Sequence, residues 1–418
     1  MNVNNAITKN RFVKDETLGN VVVFTDKTSG KVWSSTYHPF YSEPEEYSVS
    51  YSLSSSDFRR KDGPIETITK ILVAPKLDME IRKYTLFNSS NERREILINT
   101  ELELAMADEN ANIIHPSFNN LLIEEYYDEN LEALVARKRP RGNPEDDFYV
   151  FTKLVGIDLA YEIETEKTKL LKDNAMNAYD GKVTKYPLWP LMSYRARILL
   201  DPGESQTFYY LTGAADTKYN VSHAIVNADK ETIEKEILFS LQKENVNAKY
   251  QKLVPNRAAA YNDILSKILF EHDKDMDVNK YWDSKYSQAM LWRFGISGDL
   301  PIITVPIGRL EDSALITEVV EFMDYVKSRK IDLDIVVVMD EELYSGEPIK
   351  SHIDKVLSKV VYMTYTRGNI YTVNVNTMPE NERGIFDFVS RLKIEDTDIF
   401  MPKKTKEKPM SEVDVNEL

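Results

Sequence analysis

Residues 79–104 are MEIRKYTLFNSSNERREILINTELEL, and they establish the β character of the first half of the chain. Two long runs, Met79–Asn88 and Arg94–Leu104, are rich in alternating or β-branched apolar residues, a pattern typical of β-strands with one buried face. The polar residues Ser89–Asn91 between them predict a tight turn, as in a β-hairpin. This segment therefore predicts two consecutive long strands.

Nine further runs of the same kind lie between residues 20 and 213. They are Val21–Thr25, Lys31–Ser34, Glu46–Leu53, Glu66–Ala74, Leu121–Tyr127, Leu134–Lys138, Tyr149–Leu154, Ser193–Leu200 and Ser205–Gly213. Strands at this spacing with almost no helix between them predict a large antiparallel β-sandwich over residues 1–215. A long polar loop is expected at Leu170–Pro190.

The spacing of apolar residues changes to three and four at about residue 216, which predicts helices at Tyr219–Val246 and Arg257–Glu271 within a helical linker, residues 216–290. Strands and helices then alternate, which predicts a small parallel α/β segment over residues 291–400. Its expected elements are strands Ile302–Ile307, Leu333–Met339 and Ile370–Val375, and helices Asp312–Lys330, Pro348–Val360 and Glu380–Arg391. Residues 401–418 are charged and are expected to be disordered.

Composition excludes several classes of function. The chain has 418 residues and a net charge of −15, which disfavours nucleic acid as a partner. It has no cysteine, so disulfides and thiolate metal sites are impossible. The spacing of its glycines and histidines fits neither a phosphate-binding loop nor a zinc helix, so no cofactor and no metal ion are expected. No signal peptide or membrane segment is recognisable, which predicts a cytoplasmic protein.

Two features permit carbohydrate binding without requiring it. The basic run Arg137–Arg141 contains four cations that are suited to phosphate or sugar hydroxyls, but Glu145–Asp147 follow closely and offer ion-pair partners. The 24 Tyr, 16 Phe and 4 Trp provide flat amphipathic rings that suit sugar faces, yet the same rings fill sandwich cores. Composition leaves both alternatives open.

Residues 291–302 are LWRFGISGDLPI, which resembles a signature of the glycoside hydrolase family 94 region of cyclic β-1,2-glucan synthases and β-1,2-oligoglucan phosphorylases. Other segments occur in the same order as in that family. They are Asp26–Ser34, Phe58–Gly63, Ile113–Phe118, Ala136–Arg141, Pro202–Glu204, Asp332–Val336 and Arg367–Tyr371. The resemblance covers about residues 11–395.

This resemblance implies an inverting phosphorylase, in which phosphate attacks a β-glucosidic bond and an aspartic acid acts from an (α/α)6 barrel. In relatives the barrel follows the α/β segment, so we expect this chain to be the amino-terminal part, without a catalytic residue and inactive alone. The expected partners are a β-glucan oligosaccharide and a separate barrel polypeptide. The alternative is a free-standing carbohydrate-binding or scaffolding protein.

Eight residues are candidates for these contacts. The expected glycan-binding or cleft-lining residues are His115, Arg139, Arg141, Ser297 and Asp299. The alternative for Ser297–Asp299 is a turn into the strand at Ile302, with the Asp299 carboxylate accepting backbone N–H bonds. The expected partner interface consists of Trp282, Trp292 and Phe294, whose alternative role is to close a local core.

Overall fold

The structure, a computed structural model, describes residues 6–8, 19–37, 39–107, 112, 114–140, 147–157, 161–168, 183–250, 253–269, 285–308, 313–339, 351, 355 and 367–401. The chain divides into two compact units, residues 1–246 and residues 247–418. Within the described residues, no helix combines the length and the hydropathy required to cross a bilayer.

The first unit contains two antiparallel sheets built from fourteen described strands. They are β1 (Ala6–Thr8), β2 (Asn20–Asp26), β3 (Val32–Ser34), β4 (Glu46–Tyr51), β5 (Ser56–Asp62), β6 (Ile65–Val73), β7 (Met79–Asn88), β8 (Arg94–Ala107), β9 (Ile123–Asp128), β10 (Ala133–Lys138), β11 (Phe148–Val155), β12 (Glu162–Glu166), β13 (Pro190–Leu200) and β14 (Ser205–Ala215). One sheet has the order β12-β13-β8-β2-β3, with β1 also paired to β8. The other has the order β4-β5-β6-β7-β14-β11-β10-β9. The predicted sandwich is confirmed.

Strands β7 and β8 do not form the predicted hairpin, because they belong to different sheets. β7 pairs with β6 and β14, whereas β8 pairs with β1, β2 and β13. The buried Asn88 explains the difference: its Nδ2 donates to the carbonyls of Glu92, Leu200 and Asp201 at 2.8, 3.0 and 3.2 Å. The connection therefore arches from one sheet to the other beside the β13–β14 connection, which arches in the same way.

Buried aromatic side chains fill the space between the two sheets. Phe24 of β2 stacks on Trp33 of β3 with a centroid distance of 5.7 Å and lies edge-on to Tyr84 of β7 at 5.6 Å. The Trp33 indole N–H donates to Thr67 Oγ1 of β6 at 2.9 Å, which satisfies its one polar atom inside the core. These contacts join both sheets into one hydrophobic core.

Two helices cover the outer face of the eight-stranded sheet. They are α2 (Lys218–Val226) and α3 (Lys230–Tyr250), and α1 (Pro116–Asn120) is a short helix before β9. Because side chains alternate along β14, Tyr210 points into the sandwich core while Tyr209 packs in a second cluster with Ile225 and Ile233. The first unit thus has three layers: sheet, sheet and helices.

The second unit contains a parallel sheet with the order β17-β16-β15-β18. Its strands are β15 (Ile302–Ile307), β16 (Asp334–Met339), β17 (Ile370–Asn374) and β18 (Ser390–Lys393), and the α-helices among its described residues are α4 (Pro255–Leu269), α5 (Ala289–Trp292), α6 (Ser313–Ser328) and α7 (Ile385–Val389). Tyr261 of α4 packs on Phe322 and Tyr325 of α6, with centroids 5.2 Å away in both cases. The predicted parallel α/β layer is confirmed.

Two predicted helices differ from the structure, and a third is left untested. Tyr219–Val246 is wrong as one helix, because Asp229 starts α3 by accepting hydrogen bonds from the Thr232 N–H and hydroxyl at 3.0 and 2.7 Å. The predicted helix Glu380–Arg391 is correct only over α7, because Ser390 begins β18. Pro348–Val360 lies almost entirely outside the described residues, as does the tail from residue 402 onward.

Strands β5 and β12 are missed by sequence patterning because their buried positions are charged. In β5, Arg60 is only 1% exposed, and its Nε and Nη2 atoms donate to the two Asp62 carboxylate oxygens at 2.6 and 3.1 Å. In β12, Glu164 is fully buried. A pattern based on apolar residues counts such positions as surface.

Replacing Asn88 with Ala should lower the free energy of unfolding by about 1–3 kcal/mol, because the buried Leu200 carbonyl and the partly buried carbonyls of Glu92 and Asp201 lose their donor. Urea unfolding followed by circular dichroism measures this change. The matched control is Asn91→Ala in the same connection, where the side chain is exposed and the expected effect is within about 0.5 kcal/mol. Equal effects from both variants would show that Asn88 does not hold the arch.

Candidate functional site

The loop between α5 and β15 contains the sequence Gly295–Asp299 and is held by backbone hydrogen bonds. The Gly295 N–H donates to the Trp292 carbonyl at 2.9 Å, and the Ile296 N–H donates to the Leu291 carbonyl at 3.3 Å. Ile296 is fully buried and anchors the loop in the core of the second unit. Gly295 and Gly298 have positive φ angles of 76° and 77°, which other residues rarely adopt.

Side-chain contacts fix the orientation of Ser297 and Asp299. The Gln288 side-chain amide donates to the Ser297 carbonyl at 2.7 Å and to Asp299 Oδ1 at 3.0 Å. The Asp299 N–H donates to Ser297 Oγ at 3.2 Å. A Cβ atom at Gly298 would lie 2.9 Å from Gln288 Cγ, so glycine is required there for space as well as for conformation. The loop is the predicted turn, although the donor to the Asp299 carboxylate is a side-chain amide.

A cavity of about 320 Å³ opens beside this loop. Asp299 and Arg391 provide its charged groups, and Tyr286 and Phe388 provide aromatic rings whose centroids are 5.2 Å apart. Its full lining is Tyr286, Ser287, Gln288, Leu291, Gly298, Asp299, Leu300, Pro301, Ile302, Phe388, Val389 and Arg391. An acceptor, a donor and two rings around one small cavity form a set suited to a polyhydroxylated ligand.

The other glycan candidates lie in the first unit. His115 is the exposed residue that precedes α1, and its side chain makes no capping bond. The Arg139 side chain donates to the Leu121 carbonyl and lies over the Tyr186 ring, 5.3 Å from its centroid. Arg139 thus joins the end of β10 to the turn after α1. Arg141 lies outside the described residues.

The candidate interface aromatics separate into two environments. The Trp292 side chain is 63% exposed, and its indole N–H donates to the Ser297 carbonyl at 3.3 Å. Phe294 instead packs edge-on against Phe386, with centroids 5.5 Å apart, at the margin of the core of the second unit. Trp282 lies outside the described residues. The described contacts therefore place Trp292 at the surface and Phe294 in the local core.

The glycosyl hydrolase 94 supersandwich domain family matches residues 3–231 of this sequence. The chain belongs to this family. The match covers all of the described strands of the sandwich, so the predicted resemblance to family 94 is confirmed.

One curated relative is the cyclic β-(1,2)-glucan synthase NdvB of Rhizobium meliloti (strain 1021), which is 24% identical over 357 residues. The alignment covers 82% of this chain and 12% of that protein, so this supersandwich chain corresponds to a small part of its relative.

Two solved structures share low similarity with this chain. A bacterial glucoamylase complexed with acarbose has a TM-score of 0.36 at 12% identity, covering 58% of this chain and 34% of that chain. A putative kojibiose phosphorylase from human microbiome has a TM-score of 0.34 at 11% identity, covering 56% of this chain and 28% of that chain.

A buried group of three glutamates in the supersandwich is missed by sequence reasoning. Glu164 Oε1 accepts the Thr165 and Glu166 N–H groups at 2.8 and 2.9 Å. Glu166 accepts the N–H groups of Leu188 and Trp189 at 2.7 and 3.2 Å, so it holds the segment before β13. Glu125 of β9 is fully buried, and within the described part of the chain neither of its carboxyl oxygens has a hydrogen bond of normal geometry.

The environment of Glu125 favours its protonated form. Burial raises its pKa well above the ordinary value, and the carboxylates of Glu166 and Glu164 raise it further, while the Leu191 backbone N–H partly offsets the shift. No group of His, Asp and Glu in the described residues has a geometry suited to a metal ion. The only sequence signal for this group is the alternation of Glu162–Glu166.

Glu125→Gln should increase the free energy of unfolding, compared with the wild type, by more at pH 8 than at pH 5. The folded state keeps the Glu125 proton to higher pH than the unfolded state, in which the glutamate has an ordinary pKa of about 4.3. The free energy of unfolding of the wild type therefore falls as pH rises above that value, and a neutral glutamine removes this loss. Thermal unfolding of both proteins between pH 4 and pH 9 measures the difference.

The exposed Glu129→Gln in the following turn is the matched control and should leave the pH dependence unchanged. Parallel stability curves for the wild type and Glu125→Gln would contradict a raised pKa at Glu125.

Proposed function

We propose that this chain is a non-catalytic part of a β-1,2-glucan phosphorylase or cyclic β-1,2-glucan synthase. In this proposal it binds glucan in the cavity beside Asp299 and packs on an (α/α)6 catalytic barrel that lies outside these 418 residues. The absence of cysteine suits a reducing compartment, so we also propose a cytoplasmic location.

The proposal depends mainly on the extent of the similarity to the glucan synthase NdvB. Its 82% coverage of this chain is greater than the first unit alone can supply, so it includes part of residues 247–418. That unit contains the sequence at 291–302 and the cavity it lines. Similarity that continues through both units supports one shared role, rather than a widely reused sandwich alone.

The chemistry of the cavity supports a sugar as its ligand. Rings such as Tyr286 and Phe388 can pack on the C–H face of a glucose ring, while the Asp299 carboxylate accepts from sugar hydroxyls and the Arg391 guanidinium donates to them. The volume of about 320 Å³ is at the low end for ligand pockets and suits one sugar residue. We therefore propose that the cavity holds a single glucose unit of a longer glucan.

Titration of the chain with linear β-1,2-glucooligosaccharides in a calorimeter should show saturable binding. Asp299→Asn removes the charge and one strong acceptor but keeps the shape, so it should weaken binding about tenfold, equivalent to about 1.4 kcal/mol. The matched control is Asp398→Asn, an exposed aspartate of the same unit that does not line the cavity, which should bind like the wild type.

Equal binding by the wild type and Asp299→Asn would place the glucan elsewhere on the chain. Formation of glucose 1-phosphate from glucan and phosphate by the pure chain would contradict a non-catalytic role. Tight glucan binding without any effect of an added barrel polypeptide would instead support a free-standing binding protein.

A further inference from the structure

Strand β4 ends the eight-stranded sheet, and all six of its residues, Glu46–Tyr51, are exposed. Among the residues that the structure describes, it pairs with β5 alone, on one side. The opposite end of this sheet differs, because the backbone N–H of Glu125 in β9 donates to the Lys185 carbonyl at 2.9 Å. Edge strands usually carry lysine, proline or a bulge that prevents pairing, and β4 contains none of these.

The direction of the free backbone groups of β4 follows from its register with β5. The Ser52 N–H donates to the Ser55 carbonyl at 2.9 Å where the hairpin closes. Hydrogen-bonded pairs alternate along an antiparallel ladder, so the backbone groups of Ser50 and Ser48 point toward β5. Those of Tyr47, Val49 and Tyr51 point toward the open edge.

The side chains of these same three residues lie on one face of the strand. Tyr47, Val49 and Tyr51 are 42%, 37% and 74% exposed, and Tyr51 contacts Phe58 of β5 edge-on, with centroids 6.4 Å apart. The other face carries Glu46, Ser48 and Ser50. The edge therefore combines available backbone groups with an exposed apolar row.

We propose that β4 pairs antiparallel with β4 of a second copy of this chain, about a two-fold axis at Val49. In this register Val49 lies opposite Val49 of the second copy, and Tyr47 lies opposite Tyr51 of the second copy. All three outward-facing residues then exchange backbone hydrogen bonds, and both apolar rows lie on the same face. The two sheets become one continuous sheet of sixteen strands.

Charge supports this antiparallel self-pairing. Glu46 lies opposite the neutral Ser52 of the second copy, and the two Glu46 side chains lie about 20 Å apart at opposite corners. That separation exceeds the screening length of about 8 Å at physiological ionic strength. Parallel pairing would instead place the two Glu46 side chains about 5 Å apart. The net charge of −15 on each copy opposes association, so added salt should strengthen the dimer.

Sedimentation equilibrium of the full chain over a range of concentrations tests the proposal. The wild type should form a weak dimer whose dissociation constant decreases from low to moderate salt. Val49→Pro removes an N–H that points to the open edge, so it should raise the dissociation constant at least about tenfold while the fold persists. Ser48→Pro, in contrast, removes an N–H used within the hairpin and should destabilise the monomer.

A second variant tests the β4–β4 register directly, and its result does not depend on how well the proline variant folds. The chain has no cysteine, so Val49→Cys introduces a single thiol that lies about 5.5 Å from its counterpart by Cα distance in the proposed dimer. It should form an intermolecular disulfide under mild oxidation. Val73→Cys, at a site that is 68% exposed on β6, is the control and should remain monomeric.

A wild type that stays monomeric at high concentration and moderate salt would overturn the proposal. Dimers that persist with Val49→Pro, or equal crosslinking of Val49→Cys and Val73→Cys, would also overturn it. Binding of an extended peptide to β4 by a chain that never dimerises would identify a different occupant and would contradict self-pairing.

Discussion

Asn88 is the residue on which the two-sheet arrangement depends. Its side chain bonds to the carbonyls of Glu92, Leu200 and Asp201, and its own backbone N–H donates to the Glu204 carbonyl at 3.0 Å. These bonds join two connections that both pass from one sheet to the other. A buried amide with several partners in both connections allows two pairs of long strands to separate into different sheets.

The layers follow from that separation. Once β7 and β14 lie in one sheet and β8 and β13 in the other, strand alternation places Phe24, Tyr84 and Tyr210 between the sheets. The opposite face of β14 presents Tyr209, and helices α2 and α3 cover it. In the second unit, the buried side chain of Ile296 fixes the Gly295–Asp299 loop beside the parallel sheet.

Sequence patterns predict the strands and the fold class because apolar alternation is strong in runs such as Met79–Asn88. They do not predict which sheet each strand joins, since that depends on the long-range bonds of Asn88. They also miss β5, where the buried position is Arg60 paired with Asp62. Both failures arise where a buried polar group, rather than an apolar one, determines the structure.

For the site, the sequence identifies Asp299 through the signature at 291–302, but not Arg391, Tyr286 or Phe388. Arg391 and Phe388 are far from Asp299 along the chain, and nothing in the sequence distinguishes Tyr286 from the other tyrosines. The fold brings these residues together around one cavity. The sequence also does not identify Glu125 as buried, because a glutamate in an alternating strand is normally assigned to the surface.

We propose that the cavity beside Asp299 holds glucan. Hydrogen–deuterium exchange of the full chain, with and without a saturating β-1,2-glucooligosaccharide, tests it most directly. Exchange should slow in residues 285–302 and 385–391, the two segments that contain the residues lining the cavity, with little change in the sandwich strands. Protection confined to the sandwich, with unchanged exchange around the cavity, would contradict it.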